Sequence, residues 1–156
     1  MLSWLESTAL AVWVGESPSI WALPTILTLH TTGMAVLVGA SWMLDLRLLG
    51  VGRGVPLSAF RWVFPLAGIG LVVNLLTGAL LFIKSATTWG TSIPFLIKML
   101  FVIASIVTLV PLRSYVVGGD AEQPVVGGNA RLLAVASILA WTGAVTAGRL
   151  LAYVMP

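Results

Sequence analysis

The chain has no cysteine, a single histidine, five carboxylates and eight Lys or Arg among its 156 residues. The missing cysteines exclude disulfides, thiol redox pairs, iron–sulfur ligation and covalently attached c-type haem. One histidine with so few acids excludes a zinc or two-metal centre built by one chain. Charged residues make up 8% of the sequence, about a third of the ~25% usual in soluble domains. What fills the space instead is apolar: 59% of residues are hydrophobic and the mean hydropathy is +1.07. That balance belongs to an integral membrane protein. There is no nucleophile–base arrangement and no glycine phosphate loop, which argues against an enzyme. The net charge of +3 comes from basic groups at membrane edges and does not indicate a nucleic-acid partner.

Residues 1–156 read as one all-α membrane domain, a four-transmembrane-helix bundle preceded by a short amphipathic interfacial helix. A span needs about 20 mostly apolar residues, and 20–44, 62–83, 94–112 and 132–154 qualify. Runs such as Leu71-Val-Val-Asn-Leu-Leu and Leu100-Phe-Val-Ile-Ala-Ser-Ile-Val do not alternate as barrel strands would, so the spans are helices. In residues 2–15, Leu2, Leu5, Ala9, Val12 and Trp13 fall on one helical face. Gly15-Glu-Ser-Pro18 ends that segment, which lacks the basic start and cleavage site of a signal peptide. It reads as an interfacial helix with Trp4, Trp13 and Trp21 at headgroup level.

Orientation follows from the basic residues. Arg47, Arg53 and Arg61 flank the first loop between spans and Arg113 and Arg131 the last, five against Lys84, Lys98 and Arg149 on the other side. The positive-inside rule places the Arg-rich loops in the cytoplasm and both termini outside. With no presequence, a bacterial inner membrane is the expected location. The last loop repeats itself as Val116-Val-Gly-Gly-Asp120 and Val125-Val-Gly-Gly-Asn129, a turn-forming pattern in which Asn129 can cap the fourth span.

Polar groups inside spans are expensive and are candidates for function. Here they are His30, Asn74, Lys98 and Arg149. Counted from the outer ends, His30 and Asn74 lie about 15 Å in and Lys98 and Arg149 about 6–8 Å in. Gly70, Asn74 and Gly78 form a small-residue stripe on the second span beside Thr77, Ala140, Ala144 and Gly148 one on the fourth, and Gly33 lies a turn from His30. Such stripes bring helices close or leave room for a flat ligand. For His30 the structural reading is an interhelical hydrogen bond to a Thr or Asn, with Asn74 the natural partner by depth; the functional readings are axial haem ligation, proton relay or quinone binding. Lys84 and Lys98 can snorkel outward, whereas Arg149 suits a propionate, a lipid phosphate, Glu6 or Glu16. Asp45 is expected to meet Arg61 or Arg113 across helices.

The stretches His30-Thr-Thr-Gly33, Asp45-Leu-Arg-Leu-Leu-Gly50, Ile97-Lys-Met-Leu100 and Thr146-Ala-Gly-Arg-Leu-Leu-Ala-Tyr153 resemble a family of small bacterial four-helix inner-membrane proteins of unknown function. That family is loosely similar to copper-resistance D-type proteins and b-type membrane cytochromes. The looser similarity implies haem b held by histidines, with His30 as its only metal ligand here and Gly33, Asn74, Lys98 and Arg149 around it. Bis-histidine ligation would need a second chain's His30, since Met34 shares the face of His30 and Met99 lies shallower. Copper transport is disfavoured by the dispersed methionines.

Three functions therefore stand as expectations. The first is a non-catalytic accessory subunit or homo-oligomeric scaffold, partnered by lipid and by copies of itself or a larger membrane complex. The second is a haem b- or quinone-binding electron-transfer protein using His30. The third is a small ion or metal transporter, although no inverted repeat is visible.

Overall fold

The computed structural model describes residues 2–117 and 126–154 and is all-helical there. Its elements in chain order are α1 (Ser3–Glu6), α2 (Ala9–Glu16), α3 (Leu23–Leu49), a single 3-10 turn (Leu57–Phe60), α4 (Val63–Lys84), α5 (Ala86–Gly90), α6 (Ile93–Val117) and α7 (Gly128–Val154). Four of them, α3, α4, α6 and α7, are long and apolar enough to cross a membrane. The protein is a multi-pass membrane protein.

The helices overrun the apolar runs that mark them. The first does not stop at Leu44, because Asp45-Leu-Arg-Leu-Leu carries it on to Gly50. There a φ of 105° ends it, with the Gly50 and Val51 amides donating to the Arg47 and Leu46 carbonyls in the glycine-capped stop common at helix ends. The third runs across Pro111 to Val117. The fourth begins at Gly128, which puts Asn129 in its first turn rather than at the cap. Hydropathy locates the part of a helix in hydrocarbon, while hydrogen bonding carries the helix on past it. Residues 118–120 and 125 of the Val-Gly-Gly echo fall outside the described residues.

The single interfacial helix expected over 2–15 is two helices. Thr8 Oγ1 donates to the Leu5 carbonyl at 2.7 Å and accepts from the Ala11 amide at 3.3 Å, closing α1 and capping α2 with one hydroxyl. That break resets the helical phase, so the expected face of Leu2, Leu5, Ala9, Val12 and Trp13 does not form. Instead Ala11 and Val14 are buried, Val14 packing with Ile26 and Leu81, while Val12 and Trp13 stay exposed. The N-terminal segment thus sits on the end of the bundle beside α4. Trp4, Trp13 and Trp21 are all exposed there, as interfacial anchors need to be.

Helix α3 packs on α4 and on α7, and α6 packs on α7; α4 and α6 make no comparable contact. They meet near the ends. Phe95 stacks on Phe82 at 5.3 Å and on Trp89 at 6.3 Å between ring centroids, and the 3-10 turn meets α6 at the Arg-rich end. The main core holds Leu37, Leu44, Leu48, Val63, Leu112 and Trp141, all essentially without exposure. Outward faces are apolar: Ile69 is 62% exposed, Leu100 67% and Val110 71%. Lipid solvates such faces as well as a core does, so apolar burial adds little to helix association and close packing has to supply it.

That packing is clearest where α3 crosses α4. A Cβ placed on Gly70 would lie 2.9 Å from the Gly33 carbonyl oxygen and 2.9 Å from the Leu37 amide. A Cβ on Gly33 would lie 3.0 Å from Val73 and 3.1 Å from the Gly70 carbonyl. The two backbones are in direct contact there, and any larger residue would hold them apart.

Candidate functional site

One turn from this crossing, α3 presents His30 to α4. Its Nδ1 lies 3.0 Å from Thr77 Oγ1. A threonine hydroxyl has one proton, and Thr77 gives it to the Val73 carbonyl at 2.6 Å. With the Thr77 proton placed on Val73, Nδ1 is assigned as the donor to Thr77 and Nε2 is left with a lone pair. Asn74 does not reach the ring. Its Nδ2 donates to the His30 backbone carbonyl at 2.9 Å, tying α3 and α4 at the same level. The expected interhelical bond exists, but Thr77 makes it to the side chain and Asn74 to the backbone. A threonine three residues after Asn74 on the same helix face was the signal for it.

The site takes its charge from α6 and its space from α7. Lys98 on α6 reaches across to α7. Its stem crosses Gly148, where an added Cβ would meet Lys98 Cε at 3.6 Å and Nζ at 3.9 Å. No carboxylate pairs with Lys98 among the described residues. Of the residues singled out from the sequence, the structure brings together His30 and Asn74, sets Gly33 into the α3–α4 crossing beside them, and lays Lys98 against α7 at Gly148. It does not include Arg149. That side chain is exposed, one position around the helix from Gly148, on the outward face of α7. Glu6 is not its partner either. Glu6 Oε1 accepts from the Thr87 amide at 2.8 Å and from the Thr87 hydroxyl at 2.6 Å, and these two donors hold its carboxyl below the usual carboxylate range.

His30 is closer to its helix end than a count from residue 20 suggests. Residues 20–22 form a turn and α3 begins at Leu23, so the histidine is about 10 Å along the helix. Lys84, at the end of α4, lays its stem over Gly15 with Cγ 3.2 Å from an added Cβ. It faces Glu6, Glu16 and Thr87 across a shallow cleft of about 370 Å³.

A haem does not fit between these helices within one chain. The inward-facing gaps around the site are filled by the protein: Gly33 by Gly70, Gly78 by the His30 ring at 3.2 Å, Gly143 by the Phe101 ring at 2.6 Å, and Gly148 by Lys98. What remains is a fixed imidazole acceptor beside an ammonium.

At the Arg-rich end the expected ion pairs are absent. Asp45 is fully buried, and neither of its oxygens has a hydrogen-bond partner among the described residues. Arg61 and Arg113 are exposed. Arg47 is 8% exposed and is used up by the following loop, Nε donating to the Val55 carbonyl at 2.7 Å and an Nη to Arg53 at 3.2 Å. The reason is geometric: Asp45 points into the bundle toward α7, whereas the arginines lie where water and headgroups solvate them. Compared with protein-family models, with curated proteins and with solved structures, the chain matches none.

Proposed function

We propose that the chain is an accessory subunit of a bacterial inner-membrane complex, and that the His30 site receives the oxygen-bearing head of a quinone-class ligand. The observation that carries this reading is the ring's hydrogen bonding. Thr77 orients the imidazole and fixes its tautomer, leaving Nε2 to accept a proton from a quinol hydroxyl. The Lys98 ammonium beside it donates to a carbonyl or phenolate oxygen. A neutral acceptor and a cationic donor held together in an apolar wall suit a flat head with oxygens at its edge. The apolar tail of such a ligand would stay in lipid, outside the packed glycine faces. A scaffold alone has no need of an unpaired lysine and an oriented histidine inside a span.

The test is a titration of nanodisc-reconstituted protein with a short-chain quinone, read by quenching of the tryptophans. His30→Ala and Lys98→Met should each weaken binding about tenfold, the worth of one hydrogen bond to a charged or polarised group. Equal binding by wild type and the double variant would end the proposal.

The same arginine count supports a location with the Arg47–Arg61 and Arg113–Arg131 loops in the cytoplasm and the N-terminal helices outside. A second reading, a homo-oligomeric scaffold, is favoured by α6. Only 6% of its apolar window is buried, far less than in the other spans, which leaves most of its surface for a partner. Native mass spectrometry of the protein released from micelles should then give a multiple of the chain mass. A lone monomer that co-purifies with nothing would remove this reading.

A further inference from the structure

The strongest unexplained feature lies at the other end of α3 from His30. Asp45 has no exposed surface, and both carboxyl oxygens lack a hydrogen-bond partner among the described residues. Ser137 on α7 faces the carboxyl without completing a bond of ordinary geometry. Ser137 Oγ is itself unpartnered, and so is Trp141 Nε1 one turn further along, on a residue equally buried. The other buried hydroxyls are already used. Ser41 donates to the Leu37 carbonyl at 2.8 Å and Ser105 to Phe101 at 2.7 Å. Asp45 and Ser137 thus face each other unpartnered across two packed helices, with the unpartnered Trp141 indole one turn further along α7.

No cation compensates the carboxyl. On its own helix Arg47 is committed to the loop carbonyls. Arg61 ahead of α4, Arg113 and Tyr115 on α6, and Arg131 on α7 are all exposed. Lys84 and Lys98 belong to the opposite end of the bundle. An ionised carboxylate taken out of water with neither countercharge nor hydrogen bonds carries a heavy desolvation penalty, and such a group neutralises itself by holding a proton. A protonated carboxyl offers one donor and an acceptor. Ser137 can accept the proton's hydrogen bond and return its own, and the Trp141 N–H is the remaining donor.

We propose that Asp45, with Ser137 and Trp141, forms a proton-binding site inside the bundle, separate from the His30 site and occupied at neutral pH. The ligand is a proton rather than a metal ion. One carboxyl and one hydroxyl cannot complete the six or more oxygen ligands of a hard divalent cation, and no cluster of three metal-binding side chains exists among the described residues.

Infrared spectroscopy of the reconstituted protein tests this without needing a reagent to enter the core. At neutral pH the wild type should show the carbonyl band of a protonated carboxylic acid, shifted in heavy water and missing from Asp45→Asn. Ser137→Ala should keep the band and move its frequency. On an alkaline pH jump the wild type should release one more proton per chain than Asp45→Asn, measured with an indicator dye. Asp45→Asn has the shape of the protonated acid, and an unchanged far-ultraviolet circular dichroism spectrum confirms that it is folded. Spectra of the two proteins without a difference in the carboxylic-acid region would overturn the proposal. So would loss of the band on adding sodium at constant pH, which would make the site one for a metal cation.

Discussion

A half-buried amide that bonds a helix backbone does a different job from one that bonds a side chain, and Asn74 is of the first kind. By donating to the His30 carbonyl at 2.9 Å it supplies a second donor to an oxygen already within a helix, so its removal costs the tie between α3 and α4 and leaves the imidazole bonded to Thr77. Asn74→Leu should therefore destabilise the folded protein in micelles by about 1 kcal/mol, in the range of interhelical hydrogen bonds in membranes, while quinone affinity changes little. Thr77→Val should do the reverse, freeing the ring and weakening the ligand. Denaturation by sodium dodecyl sulfate and the quinone titration separate the two. Outside the spans, Glu6 makes a pH-dependent clasp. Because both Thr87 donors favour the ionised carboxylate, the clasp is present above the ordinary carboxylate range. It is lost as the pH falls through the lowered value of Glu6. The protection of the Thr87 amide, relative to its intrinsic exchange rate, should fall in acid, and Glu6→Gln should weaken the clasp and remove most of that dependence. An unchanged acid profile in the variant would assign the effect to another group.

At the scale of helices, stability rests on where side chains are absent. Gly70→Ala drives a Cβ to 2.9 Å from two backbone atoms of α3. Neither can yield as a side chain would, so the crossing must open, at about 2 kcal/mol. Gly39, on the same helix as Gly33, has nothing within 4 Å of an added Cβ. Gly39→Ala should be neutral or gain up to about 1 kcal/mol from helix propensity. Equal effects of the two substitutions in the same denaturation assay would show that the glycines act through the backbone alone. This contrast also marks how far the sequence can be read. Spans, the four-residue stripe on α4 and the depth match of His30 with Asn74 follow from period and length. Whether a stripe holds a ligand or another helix does not, because Gly70 and Gly39 look alike until the partner backbone is known. The partner of Asp45 was hidden for the same reason. Charge complementarity pointed to Arg61 and Arg113, but the direction of one side chain on a helix face sent it to Ser137 instead. Thr8 is a third case, since one hydroxyl that resets the helical phase is invisible to a count of apolar positions.

The whole molecule separates its polar groups by end. An oriented imidazole and an ammonium occupy the half beside the N-terminal helices, and a neutralised carboxyl occupies the half beside the Arg-rich loops. About 22 Å of α3 lies between His30 and Asp45, filled by Leu37 and Leu44 with almost no exposure. The one polar side chain of α3 buried in that interval is Ser41, whose hydroxyl is held by its own helix, and Thr31 and Thr32 face outward. The two sites address opposite faces of the membrane, and which faces these are can be measured directly. Because the chain has no cysteine, single cysteines can be introduced without removing any. Gly54 lies in the Arg-rich loop with open space around it, and Thr88 is exposed on α5 at the other end. In intact cells a membrane-impermeant maleimide should label Thr88→Cys and spare Gly54→Cys, and in inverted vesicles the pattern should exchange. The opposite result would turn the molecule over, placing the His30 site toward the cytoplasm and the Asp45 proton toward the outside.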